Sequence, residues 1–170
     1  MIVPILTLIA VAAMMLAELW LSRSNEQWMF DHGAIAAPDP VYSTMKWAYP
    51  GAFIAMAAEG VIVGGPSDGA AIAGILVLVL AKWVKFWAIA SLGKRWTYRV
   101  LVMPGAPLVA SGPYRLVRHP NYIGVVGELI GMALLSGARA TGALAVIGFG
   151  WLLIRRIAAE ERALGLRTGA

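Results

Sequence analysis

The sequence contains no cysteine, only two histidines and few charged residues. Without cysteine, the chain has no disulfide, no thiolate metal site and no cysteine nucleophile. His32 and His119 are far apart, and neither has a second ligand at helical spacing, so the sequence predicts no metal site. Charged residues make up 14% of the chain, whereas a typical soluble domain has about 25%. An ordinary soluble protein is therefore excluded.

Apolar residues take the place of the missing charges. Hydrophobic residues make up 60% of the 170 positions, against roughly 45–50% in a typical domain, and the length suits one domain. Polar and turn sequences separate five apolar segments: Ile2–Leu21, Trp47–Val63, Ala70–Leu92, Ile123–Ser136 and Ala140–Ile157. The first lacks the basic n-region and cleavage site of a signal peptide, which favours a retained span. We predict an all-α integral membrane protein with about five transmembrane helices.

The basic residues are unevenly distributed around these spans. If the N-terminus faces outward, eleven of them lie on the inner side: Arg23, Lys46, Lys94, Arg95, Arg99, Arg115, Arg118, Arg155, Arg156, Arg162 and Arg167. The outer side has only Arg139, since Lys82 and Lys85 lie within the third span. This asymmetry predicts a cytoplasmic C-terminus and active site, in what we expect to be a bacterial inner membrane. The net charge of +5 therefore reflects membrane orientation and predicts no nucleic-acid partner.

The predicted organisation is a single domain, residues 1–170, in two parts. Residues 1–92 contain three spans, with Ser22–Met45 as an interfacial segment that carries aromatic anchors. Residues 93–164 contain a cytoplasmic cofactor-binding loop, a helical hairpin and a C-terminal helix extension. The fourth apolar segment is short for a span, which predicts a tilted helix or a locally thinned bilayer.

The polar stretch Gly93–Tyr122 carries the residues best suited to chemistry. Basic and aromatic side chains alternate there beside a histidine, and Gly112-Pro113 and His119-Pro120-Asn121 impose turns at both ends of Tyr114–Arg118. Such turns predict a fixed loop and a ligand site. The alternative is a basic loop that contacts anionic headgroups, which explains the charges but not the prolines and the interleaved tyrosines.

Charged residues near the end of the last segment form a second candidate cluster. Arg156 and Glu160 are four residues apart and therefore share a helix face. An arginine there can hold an anionic oxygen, and a carboxylate can hold a cationic or hydroxyl-bearing cofactor. The alternative is a solvated helix end with an ion pair worth a few tenths of a kcal/mol.

Three acidic residues, Glu18, Glu59 and Glu128, lie inside apolar segments. An intramembrane carboxylate is costly and usually faces a polar interior or a partner. Glu128 follows the polar stretch closely and is expected near the site. For Glu59 the sequence suggests no function, and a pair with Lys82 or Lys85 across spans is the structural alternative.

The region from Gly93 to Leu164 resembles the isoprenylcysteine carboxyl methyltransferase family. Three motifs carry the resemblance: Gly112-Pro113-Tyr114, then Arg118-His119-Pro120-Asn121-Tyr122-Ile123-Gly124, then Glu160-Glu161-Arg162-Ala163-Leu164. The resemblance implies S-adenosylmethionine as the cofactor. The residues that it implies as cofactor contacts are Leu108, Val109, Tyr114, His119, Pro120, Asn121, Tyr122 and Glu160. It also implies that Arg156 orients the anionic group of the substrate.

The N-terminal half resembles a narrower bacterial branch, the small methyltransferases encoded beside type III polyketide synthases. The matching residues are Ala17-Glu18, Arg23-Ser24-Asn25-Glu26, Trp28-Met29 and Ser91–Trp96. That branch acts on alkylpyrones or alkylresorcinols, so both an isoprenylcysteine-type carboxylate and an alkylpyrone-type enol remain possible acceptors. We expect Arg156 and Glu160 to be catalytic, and Arg156, Glu128 and Trp96 to contact the substrate.

The function that the sequence favours is therefore S-adenosylmethionine-dependent O-methylation of a lipid-like acceptor, in contact with membrane lipids. A carboxylate or acidic enol needs no general base, whereas a phenol needs one, for which His119 and Glu160 are candidates. The alternatives are an NADPH-dependent sterol-type reductase, a phospholipid N-methyltransferase, and a non-enzymatic scaffold or small transporter. The sequence predicts no oligomeric state.

Overall fold

Five α-helices make up most of the protein. The computed structural model describes residues 2–166, so Arg167, counted above among the inner basic residues, lies outside the described part. The helices are α1 (Ile2–Asp31), α2 (Tyr42–Ile62), α3 (Asp68–Leu92), α4 (Pro120–Ser136) and α5 (Arg139–Ala163). Two short strands, β1 (Ile35–Ala36) and β2 (Leu101–Val102), pair antiparallel. The prediction of an all-α membrane protein with five helices is confirmed.

The helices α1, α3 and α5 are each long and apolar enough to cross a membrane. Their outward faces expose large apolar side chains such as Leu16, Leu80 and Ile147. Exposed apolar surface of this extent is typical of lipid contact. The helix α4 is apolar but has only 17 residues, in agreement with the short fourth segment of the sequence.

The helix α4 occupies the centre of the bundle and packs against each of the other four helices. Its Leu129 and Met132 are fully buried. On the side that faces α3, small residues let the two backbones approach closely. A β-carbon added at Gly131 would lie 3.0 Å from the backbone nitrogen of Leu78. This close approach fixes α3 and α4 as the core pair.

The structure divides the predicted interfacial segment Ser22–Met45 into several parts. The helix α1 continues to Asp31 because the sequence has no glycine or proline between Leu21 and Asp31 to end it. The helix ends before Gly33, whose φ of 83° suits glycine. The next residues form β1, in which Ile35 pairs with Val102 and Ala36 with Leu101. The segment therefore contacts the polar loop directly.

The structural alternative for Glu59, a pair with Lys82 or Lys85, is wrong. The Glu59 carboxylate accepts hydrogen bonds from the backbone N–H of Ala140 at 3.0 Å and of Thr141 at 2.7 Å. It also accepts a bond from the Thr141 hydroxyl at 2.5 Å. These contacts place a negative charge at the positive N-terminal end of α5. Glu59 therefore links α2 to the start of α5.

The two lysines pair instead with Glu18 and Glu128 in a buried cluster. The Lys85 ammonium lies 2.6 Å from Glu18 and 3.2 Å from Glu128, and Lys82 lies 3.1 Å from Glu128. The Tyr49 hydroxyl also donates to Glu128. Two acids and two bases balance in charge, which removes most of the cost of burying them. The cluster joins α1, α2, α3 and α4.

Replacement of Gly131 by alanine tests the close packing of α3 on α4. Because the added methyl would contact the Leu78 backbone, G131A should destabilise the protein by about 1–3 kcal/mol through overpacking. The measurement is thermal unfolding in detergent. The matched control is G148A on α5, where an added β-carbon meets open space. Equal melting temperatures for G131A and the wild type would contradict this packing.

Candidate active site

A cavity of about 90 Å³ lies where α4 begins and α5 ends. The polar loop closes one side of it and the last turns of α5 close the other. Several of the residues predicted from the sequence line this cavity: Trp96, Tyr114, His119, Asn121, Tyr122, Arg156 and Glu160. The structure therefore brings the two candidate clusters of the sequence together in one place.

Four other predicted residues lie elsewhere. Pro120 is buried as the first residue of α4, where proline is favoured, and it orients the residues that follow. Leu108, which is exposed, and Val109 are not among the cavity-lining residues, although Arg95 anchors their loop by donating to the Pro107 carbonyl at 2.6 Å. Glu128 lies deeper in α4 within the buried charge cluster. The structure does not place it at the cavity.

The Tyr122 hydroxyl joins the two halves of the site. It donates a hydrogen bond to Glu160 at 2.7 Å and accepts one from the Nε of Arg156 at 3.0 Å. The His119 ring stacks on the Tyr122 ring, with centroids 5.5 Å apart and planes inclined by 18°. As the i, i+4 spacing predicts, Arg156 and Glu160 face the same side of α5. One hydroxyl therefore connects the His119–Tyr122 motif at the start of α4 with the charged end of α5.

The Arg156 side chain is almost completely buried, with 7% of its surface exposed. Its Nη1 donates to the Asp39 carboxylate and its Nη2 to the Tyr98 carbonyl. The Tyr42 ring lies 5.7 Å from the guanidinium. A buried charge of this kind requires a paired opposite charge and satisfied hydrogen bonds. Asp39 and the Tyr98 carbonyl meet this requirement.

Sequence reasoning missed Asp39. The other oxygen of its carboxylate accepts bonds from the backbone N–H of Val41 at 3.2 Å and of Tyr42 at 3.1 Å, at the start of α2. An aspartate just before a helix is a common capping signal. That signal identifies a helix start, but it says nothing about a partner on α5. Asp39 therefore performs two tasks, of which only the local one is visible in the sequence.

Two polar residues on the last turns of α1 hold the loop in place. Asn25 donates to the carbonyls of Trp96 at 2.8 Å and Gly93 at 3.2 Å, and the Ser22 hydroxyl accepts from the Tyr98 N–H at 2.8 Å. The Tyr98 hydroxyl donates to Glu18 at 3.1 Å. Burial raises the pKa of Tyr98, and the adjacent Glu18 carboxylate raises it further, so Tyr98 stays a neutral donor. Tyr98 therefore links the active site to the charge cluster.

Two acids of α5 face the start of α4. The His119 ring lies 3.4 Å from a Glu161 oxygen through Nε2 and 3.7 Å from a Glu160 oxygen through Nδ1. Arg118 also approaches Glu161, at 3.7 Å, but its side chain is 74% exposed and the pair contributes little. Burial raises the pKa of Tyr114, as does the Glu160 carboxylate. The cavity therefore offers a carboxylate, neutral phenols and an imidazole.

A second, larger cleft lies on the other side of α5. Its volume is about 810 Å³, and its lining is mainly apolar residues of β1, of the following Ala37–Pro40 segment and of α5. Asp39 lines this cleft, whereas its partner Arg156 lines the smaller cavity. The pair therefore separates two spaces of different chemistry.

Comparison of the sequence with known proteins identifies the family to which this chain belongs. The model of the isoprenylcysteine carboxyl methyltransferase family matches residues 73–165. These residues comprise most of α3, the polar loop, α4 and α5, and thus the whole of the smaller cavity. The chain belongs to this family, as its motifs predict, and it is an integral membrane protein of a methyltransferase family.

Two relatives resemble the chain in sequence. It is 34% identical to the uncharacterised protein YpbQ of Bacillus subtilis over 148 residues, which cover 87% of this chain and 88% of that protein. It is 32% identical to an uncharacterised protein of Haemophilus influenzae over 92 residues, 54% of each chain. No solved structure matches the chain. The resemblance to YpbQ extends over both halves, including the segment that carries Asp39.

Removal of the Tyr122 hydroxyl tests the connection between α4 and α5. Because Y122F leaves the buried Nε of Arg156 without its acceptor, it should destabilise the protein by about 1–3 kcal/mol. Thermal unfolding in detergent measures this loss. The matched control is Y114F. The hydrogen bond of Tyr114 to the Ser111 carbonyl comes from its backbone N–H, so the loss of the hydroxyl leaves that bond in place. If Y122F and Y114F unfold at the same temperature, the proposed connection is absent.

Proposed function

We propose that this protein is an S-adenosylmethionine-dependent O-methyltransferase. Its acceptor is a lipid-like molecule whose reacting oxygen is a carboxylate or an acidic enol. The observation that supports this most strongly is the Tyr122 hydroxyl, which joins the cofactor motif of α4 to both Arg156 and Glu160. Membership of a methyltransferase family supplies the reaction class.

The chemistry of the cavity fits this cofactor. Glu160, whose side chain is 30% exposed, can accept hydrogen bonds from ribose hydroxyls or an amino group. The stacked rings of His119 and Tyr122 present π-faces, which attract organic cations. Among residues 2–166, no group of three or more His, Asp or Glu is placed to hold a metal ion. When bound there, S-adenosylmethionine supplies an electrophilic methyl group on a positively charged sulfur.

The cavity must widen to receive a ligand of nucleoside size. Its volume of about 90 Å³ is well below the roughly 300–1,000 Å³ of typical small-molecule sites. Arg118 is a lining residue that can be displaced easily, because its side chain is 74% exposed and its pairing with Glu161 is long. Tyr122 and Arg156, in contrast, are held by buried contacts. We therefore assign the part of the polar loop that carries Arg118 as the moving wall and α5 as the fixed one.

The protein's own groups align the acceptor and exclude water. Arg156 fixes the positions of Tyr98, Tyr122 and Asp39 around one point at the cavity wall. Alignment of two reactants in a site of this kind can account for several kcal/mol of the barrier. The apolar lining of the larger cleft suits a hydrocarbon chain and disfavours water. A water-soluble donor and a lipid acceptor thus approach α5 from different sides, and they meet at the Asp39–Arg156 pair, which forms the boundary between the two spaces.

Ligand binding tests the cofactor assignment. The purified wild type should bind S-adenosylhomocysteine by calorimetry in detergent, and NADPH should not compete. E160Q should weaken binding roughly 10-fold to 100-fold, because a charge-assisted hydrogen bond contributes about 1.5–3 kcal/mol. The control is D31N, an exposed carboxylate outside the cavity. Binding of NADPH in place of S-adenosylhomocysteine would instead identify a reductase.

The proposed orientation places the active site on the cytoplasmic side of a bacterial inner membrane. Because the chain has no cysteine, single-cysteine variants can be labelled selectively. A membrane-impermeant maleimide should label R115C only in inverted vesicles and R139C only in intact spheroplasts. Both positions are exposed, so access to the reagent depends on the side of the membrane. Labelling of both variants from the same side would contradict the proposed topology.

A further inference from the structure

Asp39 lies in the wall between the smaller cavity and the larger cleft. It lines the cleft together with Ala159 and Arg162, whereas Arg156 lines the cavity. The side chains of Asp39 and Arg156 are each 7% exposed. This ion pair is therefore shielded from water, and each charge acts strongly on its neighbours.

The guanidinium of Arg156 is already satisfied by the protein. Each of its three nitrogens donates to a protein acceptor: the Tyr122 hydroxyl, the Asp39 carboxylate and the Tyr98 carbonyl. Among these three partners, Asp39 is the one that carries a negative charge. A carboxylate of the chain thus stands where a carboxylate of a substrate would bind an arginine.

We propose that Asp39 determines acceptor specificity by selecting lipids of the enol type, which bind through a hydroxyl, over lipids that react through a carboxylate. This inference rests on the proposed function and narrows its acceptor. A substrate carboxylate at Arg156 would place two negative charges beside one positive charge in a buried site, which is unfavourable. To remove that repulsion it would have to displace Asp39, which Val41 and Tyr42 also hold.

A hydroxyl meets the opposite situation at the same point. In its protonated form it carries no charge, and it can donate a hydrogen bond to the Asp39 carboxylate without displacing Arg156. The Asp39 carboxylate holds four lone-pair sites, so it can accept a further bond beside its contacts to Arg156 and α2. Asp39 therefore stabilises a neutral hydroxyl bound at the end of the cleft and destabilises an anion bound there.

The larger cleft is suited to the rest of such an acceptor. Its volume of about 810 Å³ lies within the range of lipid-sized and drug-sized ligand sites. Ile35, Val102 and Pro104 give it an apolar wall, and Asp39 is the acidic residue that lines it. Arg162, its basic lining residue, is exposed at the rim, where water screens its attraction for an anion. The occupant that we assign to this cleft is the hydrocarbon chain of the acceptor.

A matched pair of lipids tests this specificity: a long-chain alkylphenol, whose neutral hydroxyl represents that of an enol, and the alkylbenzoate anion with the same chain. Their affinities are measured in detergent by calorimetry, with and without S-adenosylhomocysteine. The wild type should bind the phenol at least roughly tenfold more tightly than the benzoate. D39N should reduce this preference about tenfold, mainly by improving the affinity for the benzoate. D39E keeps the charge and should keep the preference.

The control variant is D68N, at the far end of α3, which should leave both affinities unchanged. A wild type that binds the benzoate as tightly as the phenol overturns the inference, even if D39N fails to fold. So does a D39N variant that weakens both lipids equally, since that result indicates a structural role only. Failure of the wild type to bind S-adenosylhomocysteine counts against the proposed function instead, because lipid preference is also measured without it.

Discussion

The structure depends on the burial of one positive charge, the guanidinium of Arg156. An uncompensated charge in such a position costs several kcal/mol, so the protein has to bring partners to it. These partners come from three other parts of the chain: Asp39 before α2, the Tyr98 carbonyl of the loop, and Tyr122 of α4. Because all three converge on α5, the part of the polar loop that contains Tyr98 is fixed against the helical bundle. The site is thus a consequence of satisfying this charge.

The buried cluster of Glu18, Glu128, Lys82 and Lys85 stabilises the same arrangement from inside the helical bundle. Glu18 pairs with Lys85 and accepts a bond from Tyr98, whose carbonyl contacts Arg156. A continuous path of polar contacts thus runs from the core of the bundle to the cavity. Networks of this kind rigidify a structure when all members are satisfied. The rigid side of the site is therefore made by α1, α4 and α5, and the loop that carries Arg118 is the side able to open.

Much of the fold was predictable from the sequence because apolar runs and turn residues are local signals. The helix α4 begins at Pro120 and ends at Ser136, just before Gly137, as the preferences of proline and glycine require. Arg156 and Glu160 were placed on one face by their spacing alone. The partners of the charged residues were harder to predict from the sequence. The contacts of Asp39 with Arg156 and of Glu59 with Thr141 join residues far apart in sequence, and local patterns carry no information about them. The cluster of Glu18 with Lys85 was missed for the same reason.

The central claim is that the chain transfers a methyl group from S-adenosylmethionine to the oxygen of a lipid. The most direct measurement is mass analysis of products formed by the purified protein from methyl-labelled S-adenosylmethionine and a membrane lipid extract supplemented with hydroxyl-bearing lipids. The account predicts a lipid product that carries the label as an O-methyl group, and its loss when Glu160 is replaced by glutamine. Label found on a nitrogen, or no label in any lipid, would contradict it.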